Sequence, residues 1–170
     1  MNVVKRDGRT EEFDANKIHE VLFWATKDIK GVSVSDIEIN AKLQVFDGIK
    51  SVNIHQLLIQ SAADLISEDN PNYQIVAANL LNYYLRKQVF GVSDNMPSLL
   101  DVIKKNIKIG VYDPEILEQY TEDELDQLDN YIKHNRDYLF VYAGLQQLVD
   151  KYLLKDRQSN KVYETPQYMY

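Results

Sequence analysis

Along most of this chain the apolar residues recur every third or fourth position, the period of a helix with one buried face. The first dozen residues read instead as strand and turn. Val3 to Phe13 predicts a hairpin, because Asp7-Gly8 between strand-like runs signals a tight turn with positive φ. Asp14 is placed to cap a first helix over roughly 15–29, whose stripe is Ile18, Val21, Leu22 and Ala25. Gly31 ends it, and Ser35 with Glu38 reads as a capping box for a second helix over roughly 36–46. Asp47-Gly48 turns the chain again, and Ile49-Lys50 can add a third short strand. Ser51 begins a third helix with Ile54, Leu57, Leu58, Ala62, Leu65 and Ile66 on one side. Asn70-Pro71 reads as an N-cap before a fourth, over roughly 71–90. Gly91 closes it.

Beyond a connection at 92–97, Pro97 opens a fifth helix that stops at Gly110, and Asp113-Pro114 starts a short sixth. Thr121 and Glu124 form a second capping box for a seventh over roughly 122–134. Phe140 to Leu154 reads as an eighth, and Ser159-Asn160 as a turn between short extended pieces. The last residues, Gln167-Tyr168-Met169-Tyr170, look like a core segment lacking its partner. The fold class that follows is α+β, mostly α: a small hairpin or three-stranded lid over four helices in residues 1–91, then further helices in 92–170.

Composition narrows the chemistry. The 170 residues contain no cysteine, which excludes disulfides, thiolate metal sites, cysteine nucleophiles and thiyl-radical chemistry within the chain. The net charge of −7 argues against a general nucleic-acid binder. Residues 1–91 carry ten Lys/Arg against twelve Asp/Glu, and residues 92–170 nine against fourteen. A local cationic pocket for a small anion is therefore easier to assemble in the first half. No apolar run approaches the roughly 18 residues of a membrane span. The amino terminus has no signal-peptide core, so the expected setting is cytoplasmic.

The stretch Val3-Val4-Lys5-Arg6-Asp7-Gly8-Arg9-Thr10-Glu11 is the most informative. Its two adjacent cations, set on opposite faces of an ideal strand, can serve one anion only at a rim or strand end. The competing reading is a solvated edge hairpin, where lysine discourages edge pairing. His19, beside an apolar stripe, reads as structural. His134-Asn135-Arg136-Asp137 superficially suggests a kinase catalytic loop, but no glycine-rich loop accompanies it and it reads as a packing and salt-bridge segment. The acidic run Glu122-Asp123-Glu124 with Asp126 and Asp129 reads as a solvated helix start rather than a cation site. No Walker loop, zinc spacing or serine triad is present, and no metal ligands are assigned.

Lys5-Arg6-Asp7-Gly8, Glu11, Phe13-Asp14 and Lys17-Ile18 together resemble the opening signature of the ATP-cone domain, the module that begins many ribonucleotide reductase large subunits. The likeness continues through Trp24-Ala25, Phe46 to Ser51, Ile54-His55, Tyr73-Gln74, Ala77-Ala78, Leu85-Arg86-Lys87 and Gly91. Gly110 to Asp113, His134 to Asp137, Lys151 to Leu153 and Tyr163 to Gln167 resemble the start of the reductase's helical domain. The resemblance implies an ATP-cone at 1–91 and the beginning of that helical domain, incomplete, at 92–170.

Carried over position by position, the resemblance implies a nucleotide site of Val3, Lys5, Arg6, Glu11, Lys17, Ser51, His55, Tyr83 and Lys87. Ser51 stands where the family often has threonine, and Tyr83 where it often has phenylalanine; both keep the relevant group. Ser51 and His55 share one helical face, as do Tyr83 and Lys87. Lys5, Arg6 and Lys87 can share a triphosphate; Glu11 can accept from an adenine amino group; Val3 and Tyr83 can pack its ring; Lys17, Ser51 and His55 suit the ribose. The implied function is allosteric control of overall reductase activity, with ATP activating and dATP inhibiting, each effector accompanied by Mg2+. The implied partners are the small radical-generating subunit and other large-subunit chains, with no nucleic acid and no membrane. The family's catalytic barrel lies beyond this sequence, so the chain is expected not to be an enzyme on its own. An interaction module acting on a reductase in trans is the alternative. A nucleotide-sensing repressor fits less well, since such proteins usually place a cysteine zinc ribbon before the cone.

Overall fold

The computed structural model of the chain describes residues 1–42 and 46–170, the side chain of Lys42 excepted. It is mostly helical, with one small mixed sheet, as the apolar spacing predicts. Two compact units divide it: residues 1–84 with 140–146, and residues 85–139 with 147–170.

In the first unit, β1 (Asn2–Val4) lies between β2 (Thr10–Glu12), its antiparallel neighbour, and β3 (Ile49–Lys50), its parallel one. The hairpin loop is built on a turn at Lys5–Gly8: Gly8 N donates to Lys5 O at 3.0 Å and Lys5 N to Arg9 O at 2.8 Å. Gly8 takes φ +86°, where a side chain would be strained, and Asp7 instead caps the loop by accepting from Arg9 N at 3.0 Å. Asp47 repeats that device between β1 and β3, accepting from Asn2 N at 2.6 Å.

Four helices follow: α1 (Ala15–Thr26), α2 (Val34–Lys42), α3 (Ser51–Ala63) and α4 (Tyr73–Val89). Asp14 caps α1, accepting from Asn16 N at 2.9 Å. The α2 start differs from expectation. Ser33, not Ser35, is the capping hydroxyl, 3.3 Å from Asp36 N, while Glu38 turns away to His19. The predicted end of α2 near Phe46 crosses residues 43–45, outside the described set. Asn70-Pro71 is likewise no cap: Asn70 N donates back to Ser67, and α4 begins two residues later. The four helices bury one core that includes Leu22, Ile37, Leu58, Leu80 and Val76, joined by Leu145 from the 140–146 segment. A smaller cluster, Val3, Ile49 and Ile54, ties the sheet to α3.

The second unit contains α5 (Leu99–Lys108), α6 (Glu115–Gln119), α7 (Glu122–Tyr131) and α9 (Pro166–Met169). Thr121 and Glu124 form the expected reciprocal capping box. The predicted eighth helix is broken into α8 (Tyr142–Gln147), which lies almost wholly in the first unit, and a π-helical turn at Leu148–Tyr152. Residues 134–139 wind as a 3₁₀ segment rather than extending α7. Of the carboxy-terminal aromatics, Tyr168 finds partners: it edges Phe90 and His134, and its hydroxyl donates to Pro97 O, whereas Tyr170 is exposed.

The division between the two compact units falls inside α4. Its last turn contributes Leu85 and Val89 to the cluster with Leu153 and Val162, so packing assigns those residues to the second unit although the helix is continuous.

Candidate functional site

The hairpin loop, α1, α3 and α4 bring the anticipated residues of the first unit together. Lys5 is not a strand residue but the first position of the turn, which frees its side chain from strict pleat alternation. Its ammonium stands 3.5 Å from Glu11 of β2, and the same carboxylate accepts a hydrogen bond from Lys17 of α1. Lys17, with Lys5 assisting, holds the Glu11 carboxyl below its usual range, and Glu11 in turn raises Lys17. All three groups remain reachable from solvent.

Arg6 leaves the turn in another direction. Its guanidinium carbon lies 5.5 Å from the centre of the Tyr84 ring, and partial desolvation there lowers its pKa. Tyr83, next to Tyr84 on α4, stacks on His55 of α3 with ring centres 5.1 Å apart and planes 17° from parallel. Trp24 of α1 closes the row, 5.5 Å from Tyr83 and tilted. Ser51 sits one helical turn before His55 at the start of α3. Positive charge, flat aromatic surface, one carboxylate and a hydroxyl are therefore supplied by four neighbouring elements of one unit.

Two members of the set remain, Val3 and Lys87. The Val3 side chain is only 7% exposed and is committed to Ile49 and Ile54, so it offers a base a buried floor at most. Lys87 lies one turn beyond Tyr83 on α4, half-buried, in the part of the helix that packs with the second unit.

Sequence reasoning passed over Tyr84 as a site residue. The only hint was its place beside Tyr83, with nothing to say that Arg6 would lie against it. His19, read as structural, bridges α1 to α2: its Nδ1 is 2.9 Å from Glu38 Oε1. Both residues line a cavity of about 520 Å³ with Phe13, Ile18, Ile54 and Leu57, and none of the nine anticipated residues borders it. Among the described residues, no group of three or more His, Asp or Glu is arranged to hold a metal ion. None of the described helices is long and apolar enough to cross a membrane.

Residues 1–88 match the family described as "ATP cone domain". Over 168 residues the chain is 46% identical to ribonucleoside-diphosphate reductase 1 subunit alpha of Salmonella typhimurium and 45% identical to that of Escherichia coli, covering 99% of this chain in each case. It is 41% identical over 172 residues to ribonucleoside-diphosphate reductase subunit alpha of Enterobacteria phage T4, covering 100% of this chain. The chain spans 22% of the length of each of these three relatives.

Proposed function

We propose, from the premise that this chain belongs to the ATP-cone family, that residues 1–91 bind ATP or dATP as a regulatory signal for a ribonucleotide reductase. The observation that carries the proposal is the row of groups on the hairpin, α1, α3 and α4: Lys5, Glu11 and Lys17 on one side, Arg6, Tyr84, His55 and Tyr83 on the other. A triphosphate carries several negative charges, and Lys5, Arg6 and Lys87 together are suited to share them. Tyr83 offers a face to adenine, and Glu11 an acceptor for its amino group once Lys5 and Lys17 turn to the incoming ligand. Lys17, Ser51 and His55 fall to the ribose. Magnesium would ride on phosphate oxygens and water, as it does at sites without a dedicated protein cage.

ATP and dATP differ by one hydroxyl. Leaving a buried polar group without its partner costs about 1–3 kcal/mol, enough to bias two states that bind the ligands unequally. In this reading ATP favours an active reductase and dATP an inhibited assembly with the small radical-generating subunit and other large-subunit chains, in the cytoplasm. The chain supplies regulation, and catalysis belongs to the remainder of such a subunit.

Calorimetric titration with ATP, dATP and GTP tests this directly. Adenine nucleotides are expected to bind more tightly than GTP, and Lys5→Ala and Lys87→Ala each to weaken ATP by roughly tenfold, the worth of one charge-assisted contact. Equal binding of all three nucleotides, unchanged in both variants, would overturn the assignment.

A further inference from the structure

We infer that Tyr84 is a positioning residue of the nucleotide site, whose ring holds the Arg6 guanidinium ready for a phosphate before the ligand arrives. The inference rests on the reading of Arg6 as a phosphate ligand given above, and every residue it uses lies in the first unit.

The cations of the hairpin and of the start of α1 differ in what they face. Lys5 and Lys17 share the Glu11 carboxylate, and Arg9 pairs with Asp7 at 2.7 Å. Arg6 has no carboxylate within ion-pair reach among the described residues. What faces it is the Tyr84 ring, whose centre is 5.5 Å from the guanidinium carbon. Partial burial at that place takes water from the guanidinium and lowers its pKa. The two ends of the contact are fixed independently. Arg6 is the second residue of the Lys5–Gly8 turn, held closed by Gly8 N to Lys5 O at 3.0 Å and Lys5 N to Arg9 O at 2.8 Å. Tyr84 is half-buried on the core of the first unit, its ring centre 6.2 Å from that of His55.

A ring attracts a cation without neutralising it, so the charge of Arg6 stays available to an anion. Lys5, by contrast, has to leave Glu11 before it can serve a phosphate in full. With its backbone set by the turn, Arg6 keeps only side-chain freedom, and arginine has a great deal of it. Ordering that side chain as the ligand binds would subtract from affinity; a ring that orders it beforehand removes the loss. The attraction is also shallow, so the guanidinium can shift towards a phosphate oxygen without a large penalty. An aliphatic residue at position 84 would cover the same core and do nothing for the cation.

The test titrates the full chain with ATP and with tripolyphosphate by calorimetry, and with adenosine by NMR. Tyr84→Phe keeps the ring and is expected to bind all three as the parent does. Tyr84→Leu removes the ring and should weaken ATP and tripolyphosphate by roughly two- to fivefold, as loss of one cation–π contact does, with adenosine unchanged. Phenylalanines bearing one, two or three ring fluorines at position 84 cover the case in which the leucine variant does not fold. They keep the shape while draining the negative face, so ATP affinity should fall stepwise along the series. In an Arg6→Ala background, Tyr84→Leu should weaken ATP no further, since both changes remove one interaction. Equal ATP affinity of the leucine and phenylalanine variants, or a flat fluorine series, would mean that Arg6 merely lies across the ring. A gain in affinity would mean that the ring competes with phosphate, and a joint fall of ATP and adenosine that the site is distorted. Each of these overturns the inference while Arg6→Ala still weakens ATP. Should Arg6→Ala itself leave ATP binding intact, the phosphate role of Arg6 fails first and the inference goes with it.

Discussion

The two units pair basic and acidic side chains at opposite extremes of exposure. In the first, Lys5 and Glu11 have side chains 35% and 41% exposed; in the second, Arg86 and Asp137 are 6% and 1% exposed. Water screens the first pair, so its net worth is small and its members can exchange partners at little cost. The second pair has already given up its hydration, so losing either partner strands a buried charge. The same chemistry thus suits the proposed ligand site in one place and a scaffold in the other, and burial decides which.

The sharpest way to break that contrast is to delete one cation from each unit. Arg86→Ala is expected to cost about 3–5 kcal/mol in urea unfolding. Lys5→Ala should stay within about 0.5 kcal/mol of the parent. Adding Asp137→Asn to Arg86→Ala should return part of the loss, because the stranded carboxylate is gone. Near-equal effects of the two single variants would show that exposure does not separate the units.

Acidity gives the next largest difference. Burial pushes the Asp137 carboxyl up to about 6, against the opposing pull of Arg86 and a hydrogen bond from Gln167. Folding therefore favours its protonated form. The stabilisation is complete below the ordinary carboxylate range, is lost as pH rises towards about 6, and is flat above. Across that window the parent should lose roughly 1–3 kcal/mol more than Asp137→Asn, measured by urea unfolding. An identical pH profile for the two proteins would contradict the burial argument.

How far sequence alone carries differs between the units for the same reason. Apolar spacing finds α1 through α4 because their stripes meet in one core, and the proposed nucleotide residues come from a family likeness spread over the chain, of which Lys5-Arg6-Asp7-Gly8 is one local part. The Ser33 cap was missed because Ser33 and Ser35 offer the same hydroxyl, and only the burial of Ile37 sets the register. In the second unit, a lone Arg86 on an apolar helix gives no sign of its partners some fifty positions away. His134 to Asp137 could be read as a salt-bridge segment but not matched to its arginine. The π-helical turn after Gln147 carries no breaker residue to announce it.

The aromatic row separates the units on a smaller scale. Tyr83→Ala removes the face stacked on His55 and should weaken ATP by about 1–2 kcal/mol, within the range of one lost base stack. Tyr83→Phe keeps the ring and should bind as the parent does. Tyr138→Ala, which removes the ring beneath Arg86, should act on stability first. If Tyr83→Phe proved as weak as Tyr83→Ala, the hydroxyl rather than the ring would be the contact.

The smallest expected effect concerns Glu11, and it tests whether the exposed cluster behaves as a set of exchangeable partners. Lys17 is the main cause of the depressed Glu11 pKa, with Lys5 behind it. A depressed carboxylate stabilises the fold above its ordinary range and loses that contribution as pH falls through its folded value. Because the groups are solvated, the readout should be local. Carboxyl-carbon NMR of Lys17→Met should show the Glu11 midpoint rising most of the way to its usual position, with Lys5→Ala raising it less and neither variant shifting the unfolding midpoint measurably. Saturating ATP should then move the parent's Glu11 in the same upward direction, since each lysine that turns to phosphate or ribose leaves the carboxylate. A midpoint that ignores ATP would mean that the three charges stay locked together, and that the first unit holds its ions as rigidly as the second.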